Sequence, residues 1–232
     1  EIPEYVMTGM VEYWQRLLRD TVKDHFRHEE RHKDVAVPVL SGTGWYDQQV
    51  GTIKHFTGMT ENALTAEARD NQRLIVGPWG HTTLALDREL GEMDCGPGAQ
   101  RVYFDIDDAW VSKWPKGDDT RVDSWPRAKI FVMGRNEWRD EETWPPDGMV
   151  PTPWYLRSGG HANGNDGDGI LSPVPPLDEP ADEYDYDPRD PVMTIYTMEG
   201  QQVPMDQRRL DGRQDILSYT TAPLEGPIEV VG

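Results

Sequence analysis

Two residues that could act together as an acid–base pair, Asp47 and His81, each come shortly after an apolar segment. Asp47 follows residues 35–40 and a Ser-Gly-Thr-Gly turn, and His81 follows residues 73–76 and a Gly-Pro-Trp-Gly stretch. Because the carboxyl ends of parallel strands meet at one edge of a sheet, this spacing places both side chains at that edge. A carboxylate there would fix the tautomer of the imidazole, whose second nitrogen would accept the proton of a nucleophile.

Three aromatic residues, Trp45, Tyr46 and Trp79, flank these positions. One interpretation is that they bind substrate, as a wall around its acyl or leaving group. The other is that they pack beneath the loops as part of the core. The sequence leaves both interpretations open.

The elements that must position the pair form a βαβ unit. Residues 4–33 have helical periodicity, and residues 35–40 are a β-branched apolar run that predicts a buried strand. Helices are predicted near 50–56 and 61–68, a second buried strand at 73–76, and an amphipathic helix over 100–114. A strand, a helix and a strand in this order predict a parallel sheet covered by helices.

The second half of the chain has a different character. Ten of the 19 prolines lie between Pro145 and Pro191, which disfavours helices and central strands. Short apolar runs at 130–133, 154–156, 216–219 and 228–231 indicate strands joined by long loops. We expect an all-β sandwich after a boundary near residues 115–127.

Composition excludes several classes of protein. The 42 acidic and 23 basic residues give a net charge of −19, which disfavours nucleic-acid and membrane-surface partners. No apolar run is long enough to cross a bilayer, and no signal sequence is recognisable, so we expect a cytoplasmic protein. The single cysteine, Cys95, cannot form an internal disulfide. No glycine-rich nucleotide motif is present, so no cofactor is expected.

Several strings resemble one known family. VPVLSGTGWYD and GPWGH resemble the acid and histidine motifs of α/β hydrolases of the cocaine esterase and X-Pro dipeptidyl-peptidase type, and FVMGRNEWRDEETWPP resembles the entry into that family's jelly-roll domain. The resemblance implies that Asp47 is the triad acid and His81 the base. It also implies that residues 1–34 are the end of a helical cap and that residues 35–120 are the C-terminal part of an α/β-hydrolase domain. Residues 121–232 would then be the first part of an incomplete jelly-roll sandwich.

The expected nucleophile is missing from the chain. None of the six serines stands in the Gly-x-Ser-x-Gly pattern that a serine hydrolase needs, and the family places that motif upstream of its cap. We therefore expect a fragment that is inactive alone and whose partners are the remaining parts of the same polypeptide. The substrate would be a small ester or amide, cleaved through an acyl-enzyme. X-Pro dipeptidyl-peptidase activity is the alternative within the family.

Two other classes of function stay open. His28-Glu29-Glu30-Arg31-His32 fits the H-E-x-x-H pattern of a zinc peptidase. The charge of Glu30 and Arg31 and the absence of an obvious third ligand favour a solvated helix end instead, so no metal site is expected. The residues after 125 would also fit a non-catalytic β-sandwich that binds a surface or a carbohydrate.

Overall fold

The computed structural model describes residues 28–47, 49–81, 89–99, 102–117, 121–195 and 204–231. Most of the predicted helix over residues 4–33 lies outside this part of the chain. Its end forms a 3₁₀ helix, His28–Asp34. The helices are α1 (Gln49–Asn62), α2 (Ala66–Asp70) and α3 (Val102–Lys113). The strands are β1 (Leu40–Tyr46), β2 (Arg73–Gly80), β3 (Glu89–Leu90), β4 (Met93–Asp94), β5 (Ala128–Val132), β6 (Glu137–Glu141), β7 (Tyr155–Arg157) and β8 (Ile170–Ser172).

A four-stranded mixed sheet in the order β1-β2-β5-β6 forms the core. The first three strands run parallel, and β6 pairs antiparallel with β5. Every residue of β2 is buried, as expected of a central parallel strand covered on both faces. The predicted parallel sheet with helices is therefore confirmed.

Alternate residues of β2 pack on opposite faces of the sheet. Leu74 and Val76 contact Phe56 of α1 on one face. Ile75 and Trp79 contact Ile106 of α3 on the other. This alternation has the period of two that a strand imposes, and it places one helix on each face. The helix predicted over 100–114 is confirmed as α3, whereas α1 is longer than the helix predicted over 50–56.

Both strands that lead to the candidate site end later than predicted. The first occupies Leu40–Tyr46 rather than residues 35–40, and the second continues through Gly77 and Pro78 to Gly80. Pro38 has no N–H to donate to a ladder, which disfavours a central strand at 35–40. Val35 and Val39 instead pack against the ends of α1 and α2, and their carbonyls accept hydrogen bonds from Leu64 and Arg73.

Glycine allows β1 and β2 to stay paired close to their carboxyl ends. Gly44 pairs with Gly77, and a Cβ atom on Gly44 would lie 2.0 Å from the carbonyl oxygen of Trp79. No side chain fits at that distance, so the two backbones approach closely only because residue 44 has none. Residues 41–44, predicted as a turn, are therefore part of strand β1, and Gly44 allows the backbones of β1 and β2 to approach closely.

The C-terminal part is rich in short β segments. β5 and β6 extend the parallel sheet across the boundary predicted at 115–127, and β7 pairs with β8 as a separate antiparallel pair. Residues 216–219 and 228–231 are not strands, and the first segment contributes only an isolated bridge at Leu217. Within the residues described, no helix is long and apolar enough to cross a membrane.

Side-chain hydrogen bonds organise the loops of this part. The carboxylate of Asp182 accepts hydrogen bonds from the hydroxyls of Ser158, at 2.7 Å, and Tyr219, at 2.6 Å. It also accepts one from the backbone N–H of Ala162. These bonds lower the pKa of Asp182, and the Asp182 carboxylate raises the pKa of Tyr219 to about 12. One ionised carboxylate thus joins three loop segments that have little regular secondary structure.

A histidine pair connects the 3₁₀ helix to α1. His32 is 3% exposed, and its Nε2 lies 3.1 Å from Nδ1 of His55. Gly58 leaves the space that the His32 ring occupies, because a Cβ there would lie 2.1 Å from His32 Nδ1. Burial, followed by the neighbouring His32 and His28, lowers the pKa of His55.

Substituting Gly44 with alanine should separate β1 from β2. The added methyl group meets backbone rather than a flexible side chain, so we expect a lower midpoint of urea denaturation, by on the order of 2 kcal/mol in unfolding free energy. Gly51→Ala is the matched control, since a Cβ at Gly51 on α1 contacts nothing within 4 Å. That variant should be as stable as the parent or more so. Equal stability of the two variants would contradict the close-approach argument.

The His32–His55 pair should make stability depend on pH. The pKa of His55 is lower in the folded state than in the unfolded state, where it is about 6.5. The contribution of His55 to the free energy of unfolding is therefore complete above the unfolded-state pKa and is lost as the pH falls toward the folded-state pKa. Denaturation midpoints at about pH 7.5 and 5.5 measure this loss. We expect it to shrink in His55→Gln and to stay unchanged in His161→Gln, which replaces an exposed histidine. An unchanged loss of stability in His55→Gln would show that His55 does not titrate as described.

Candidate active site

Asp47 and His81 lie side by side at the carboxyl edge of the sheet. Tyr46 and Gly80 are the last paired residues of β1 and β2, so the two residues that follow them leave the sheet together. The Asp47 Oδ1 atom lies 2.9 Å from Nδ1 of His81. The Asp47 side chain is 22% exposed and that of His81 is 68% exposed. The geometry therefore couples a largely shielded carboxylate to an accessible imidazole.

This contact determines what the imidazole can do. A carboxylate that accepts a hydrogen bond from Nδ1–H holds the ring in the tautomer whose Nε2 carries a lone pair. Nε2 can then accept a proton, and the adjacent carboxylate stabilises the resulting imidazolium. Within the part of the chain described, His81 makes no other hydrogen bond, and none of the six serines contacts it.

A local irregularity directs Asp47 out of the strand. The pairing register shifts between Gly44 and Tyr46, where two steps along β1 oppose three along β2. The backbone N–H of Asp47 donates to the Gly44 carbonyl at 3.0 Å and closes a tight turn. Bulges of this kind commonly redirect side chains next to active sites.

Trp45 anchors this turn to a distant strand. Its indole Nε1–H donates to the carbonyl of Phe131 on β5 at 2.7 Å, although β2 lies between the two strands. The ring is half-buried and packs on the cluster that contains Phe56 and Val76, with the Trp144 ring centroid 6.4 Å away. No sequence pattern indicates this contact, because its acceptor is a backbone carbonyl 86 residues away.

Tyr46 and Trp79 project to the opposite face of the sheet. The Tyr46 hydroxyl contacts the sulfur of Met93 at 3.3 Å, and burial, followed by the nearby Cys95, raises the pKa of Tyr46. Trp79 is 4% exposed and packs with Ile75 and Ile106. Trp79 thus belongs to the core, whereas Trp45 and Tyr46 are each partly buried beside Asp47.

A cavity adjoins the Trp45 side of the site. It has a volume of about 540 Å³ and lies between the end of β5, β6 and residues 227–231. Trp45, Phe131, Met133 and Trp144 supply its aromatic and apolar walls. A cavity of this volume is within the range of small-molecule sites, and Trp45 connects it to the Asp47 turn.

The H-E-x-x-H segment does not have the helical arrangement that the zinc-peptidase pattern requires. Its residues lie in a 3₁₀ helix, where positions three apart are aligned rather than positions four apart. His28 is exposed, whereas His32 is buried against His55. Among the residues described, no group of three or more His, Cys, Asp or Glu side chains could hold a metal ion.

Comparisons with known proteins agree with the sequence motifs. Residues 120–232 match the family model of the X-Pro dipeptidyl-peptidase C-terminal non-catalytic domain. Cocaine esterase from Rhodococcus sp. (strain MB1 Bresler) is 36% identical over 211 residues, or 88% of this chain and 35% of the esterase. A candidate serine esterase of Mycobacterium bovis is 30% identical over 206 residues, or 84% of this chain and 29% of that protein. The chain therefore spans about a third of the length of these relatives.

A solved structure shares the fold. The crystal structure of an aminopeptidase from the marine sediment archaeon Thaumarchaeota archaeon superimposes with a TM-score of 0.64 and 22% sequence identity. The match covers 91% of this chain and 36% of the aminopeptidase. At that identity it supports the fold alone. The sequence matches identify the chain as a relative, over the C-terminal part, of the cocaine esterase and X-Pro dipeptidyl-peptidase-like family of hydrolases.

Proposed function

We propose that Asp47 and His81 are the acid and the base of a Ser-Asp-His triad in a serine hydrolase that cleaves carboxylic esters. The observation that carries this proposal is the 2.9 Å contact between Oδ1 of Asp47 and Nδ1 of His81 at the ends of two parallel strands. The esterase relatives support an ester as the substrate. Amides are the second class, because the same acyl-transfer chemistry cleaves them.

In the proposed reaction, a serine hydroxyl from outside this sequence attacks the carbonyl carbon of the substrate. His81 Nε2 takes the hydroxyl proton as the Oγ–C bond forms, and Asp47 stabilises the imidazolium. When the tetrahedral intermediate collapses, His81 returns that proton to the leaving alcohol, and an acyl-enzyme remains. Water then attacks with the same proton transfers and releases the acid and the serine. No step needs a metal or an organic cofactor.

The C-terminal part has a different proposed role. The matching family model describes a non-catalytic domain, and we propose that residues after about 121 form the first part of its jelly-roll sandwich. β5 and β6 belong to the same sheet as β1 and β2, so this part would support the site rather than act as an independent binding module.

X-Pro dipeptidyl-peptidase activity is the second candidate function, because the matching family model is a domain of X-Pro dipeptidyl-peptidases. An ester substrate ranks first because the chain is similar to esterases over 84% to 88% of its length, whereas the peptidase model matches only residues 120–232.

Asp47→Asn tests the triad in the full gene product. The amide would hold His81 in the wrong tautomer, so kcat for p-nitrophenyl esters should fall by on the order of 10⁴ with little change in KM. Asp166→Asn, at an exposed carboxylate, is the matched control and should retain full activity. Turnover within tenfold of the parent in Asp47→Asn would refute the assignment. Faster cleavage of Gly-Pro p-nitroanilide than of esters would favour the peptidase.

Trp45 has two possible roles beside this site, as a wall for substrate or as an anchor for the acid. The bond to the Phe131 carbonyl and the packing on the core favour the anchor. Since Trp45 lies within the turn that the Asp47 N–H closes on the Gly44 carbonyl, releasing the indole would loosen the segment that holds the carboxylate.

Trp45→Phe should retain most of the ring packing but lose the indole N–H. We expect hydrogen exchange of the Asp47 backbone amide to accelerate by about tenfold, the effect of one lost hydrogen bond. Trp144→Phe is the matched control, because it removes an indole from the same cluster without breaking the bond to Phe131. Equal acceleration in both variants would contradict a specific anchoring role for Trp45.

A further inference from the structure

Arg73 is a buried cation at the end of β2 that lies opposite to His81. It is the first residue of the strand and is 8% exposed. Its Nη1 donates to the backbone carbonyls of Asp70, at 3.3 Å, and Gln72, at 2.9 Å. Its Nε is buried and has no hydrogen-bond acceptor within the described residues. A donor left in this state carries the full cost of its desolvation.

The neighbouring cations are paired, whereas Arg73 is not. Arg127 lies 3.6 Å from Asp70, and Lys129 lies 2.6 Å from Asp140. Among the residues described, no carboxylate comes within ion-pair distance of Arg73. Burial, followed by the charge of Arg127, lowers the pKa of Arg73, and more distant carboxylates only partly oppose this. An unpaired cation in such a place strongly favours any anion that can reach it.

A cavity provides the space for such an anion. It has a volume of about 340 Å³ and is lined by Arg73, by two more basic residues, Arg121 and Lys129, and by apolar residues. Its apolar walls come from β2, from α3 and from the segment before β5: Leu74, Ile75, Ile106, Ala109, Trp125 and Pro126. Among the residues described, three basic side chains and no acidic one line this cavity. Arg121 and Lys129 also pair with Asp108 and Asp140, so Arg73 is the lining cation left to attract an anion.

We infer that this cavity binds a small carboxylate with an apolar body, such as a medium-chain fatty acid, with its head group on Arg73. A guanidinium can offer two parallel donors to a carboxylate, and Arg73 lines the cavity. The apolar walls would remove the hydrocarbon from water, which favours a ligand with an apolar body. The site is independent of the proposed triad, because it lies at the opposite end of β2.

Thermal unfolding of the 232-residue chain with sodium octanoate tests this inference. A ligand that binds only the folded state raises Tm, and above its Kd the rise continues with the logarithm of the ligand concentration. We expect a rise with this logarithmic dependence that reaches about 5 °C. 1-Octanol at the same concentration should have little effect, because it lacks the charge. Arg73→Met should abolish the octanoate shift. Arg127→Met, which removes a neighbouring cation that does not line the cavity, should retain it.

A second variant keeps the test decisive if Arg73→Met does not fold. Ala109→Leu places three more carbon atoms in the cavity and leaves Arg73 in position, so it should reduce the octanoate shift at least threefold. Equal octanoate shifts in the parent and in either variant, Arg73→Met or Ala109→Leu, would overturn the inference and indicate non-specific binding. No shift in the parent chain would overturn it outright. Neither result bears on the triad, which the Asp47→Asn experiment tests separately.

Discussion

The close parallel pairing of β1 with β2 is the constraint on which the candidate site depends. Asp47 and His81 are 34 residues apart in sequence and meet only because both strands end at the same edge in adjacent register. Gly44 allows the two backbones to come together at the Trp79 carbonyl, just before the strands end. A parallel pair needs a long crossover connection, here α1 and α2, and α1 also covers one face of the sheet. The geometry of the site is therefore a property of the whole βαβ unit.

The residues around the pair divide between the two faces of the sheet. Trp45 extends over one face to the Phe131 carbonyl, and Tyr46 extends over the other to Met93. The turn that carries Asp47 is thus held from both sides, while His81 stays exposed and receives its orientation from the carboxylate. This arrangement is what proton transfer requires, since the base must reach a substrate while its tautomer stays fixed.

The sequence predicted the parallel sheet, the flanking helices and the meeting of Asp47 with His81, because buried apolar runs and the residues after them carry that information. It did not place the strand ends, because whether residues 40–46 pair depends on a glycine contact with another strand. It also missed β6, whose residues Glu-Trp-Arg-Asp-Glu are mostly charged and lie at a sheet edge. The apolar run at 228–231 is not a strand, and Arg139 binds Glu229 within it through a salt bridge. The hydrogen bond that anchors Trp45 could not be predicted from the sequence, since its acceptor is a backbone carbonyl and every residue carries one.

The tautomer of His81 tests the central claim most directly, because it reports the Asp47 contact without requiring catalysis. Nitrogen-15 NMR of the histidine-labelled chain at mildly alkaline pH distinguishes protonation at Nδ1 from protonation at Nε2. The account predicts that His81 is protonated mainly at Nδ1 and that Asp47→Asn shifts the proton to Nε2. A His81 signal with the mixture of tautomers typical of free imidazole in water, unchanged by Asp47→Asn, would contradict it.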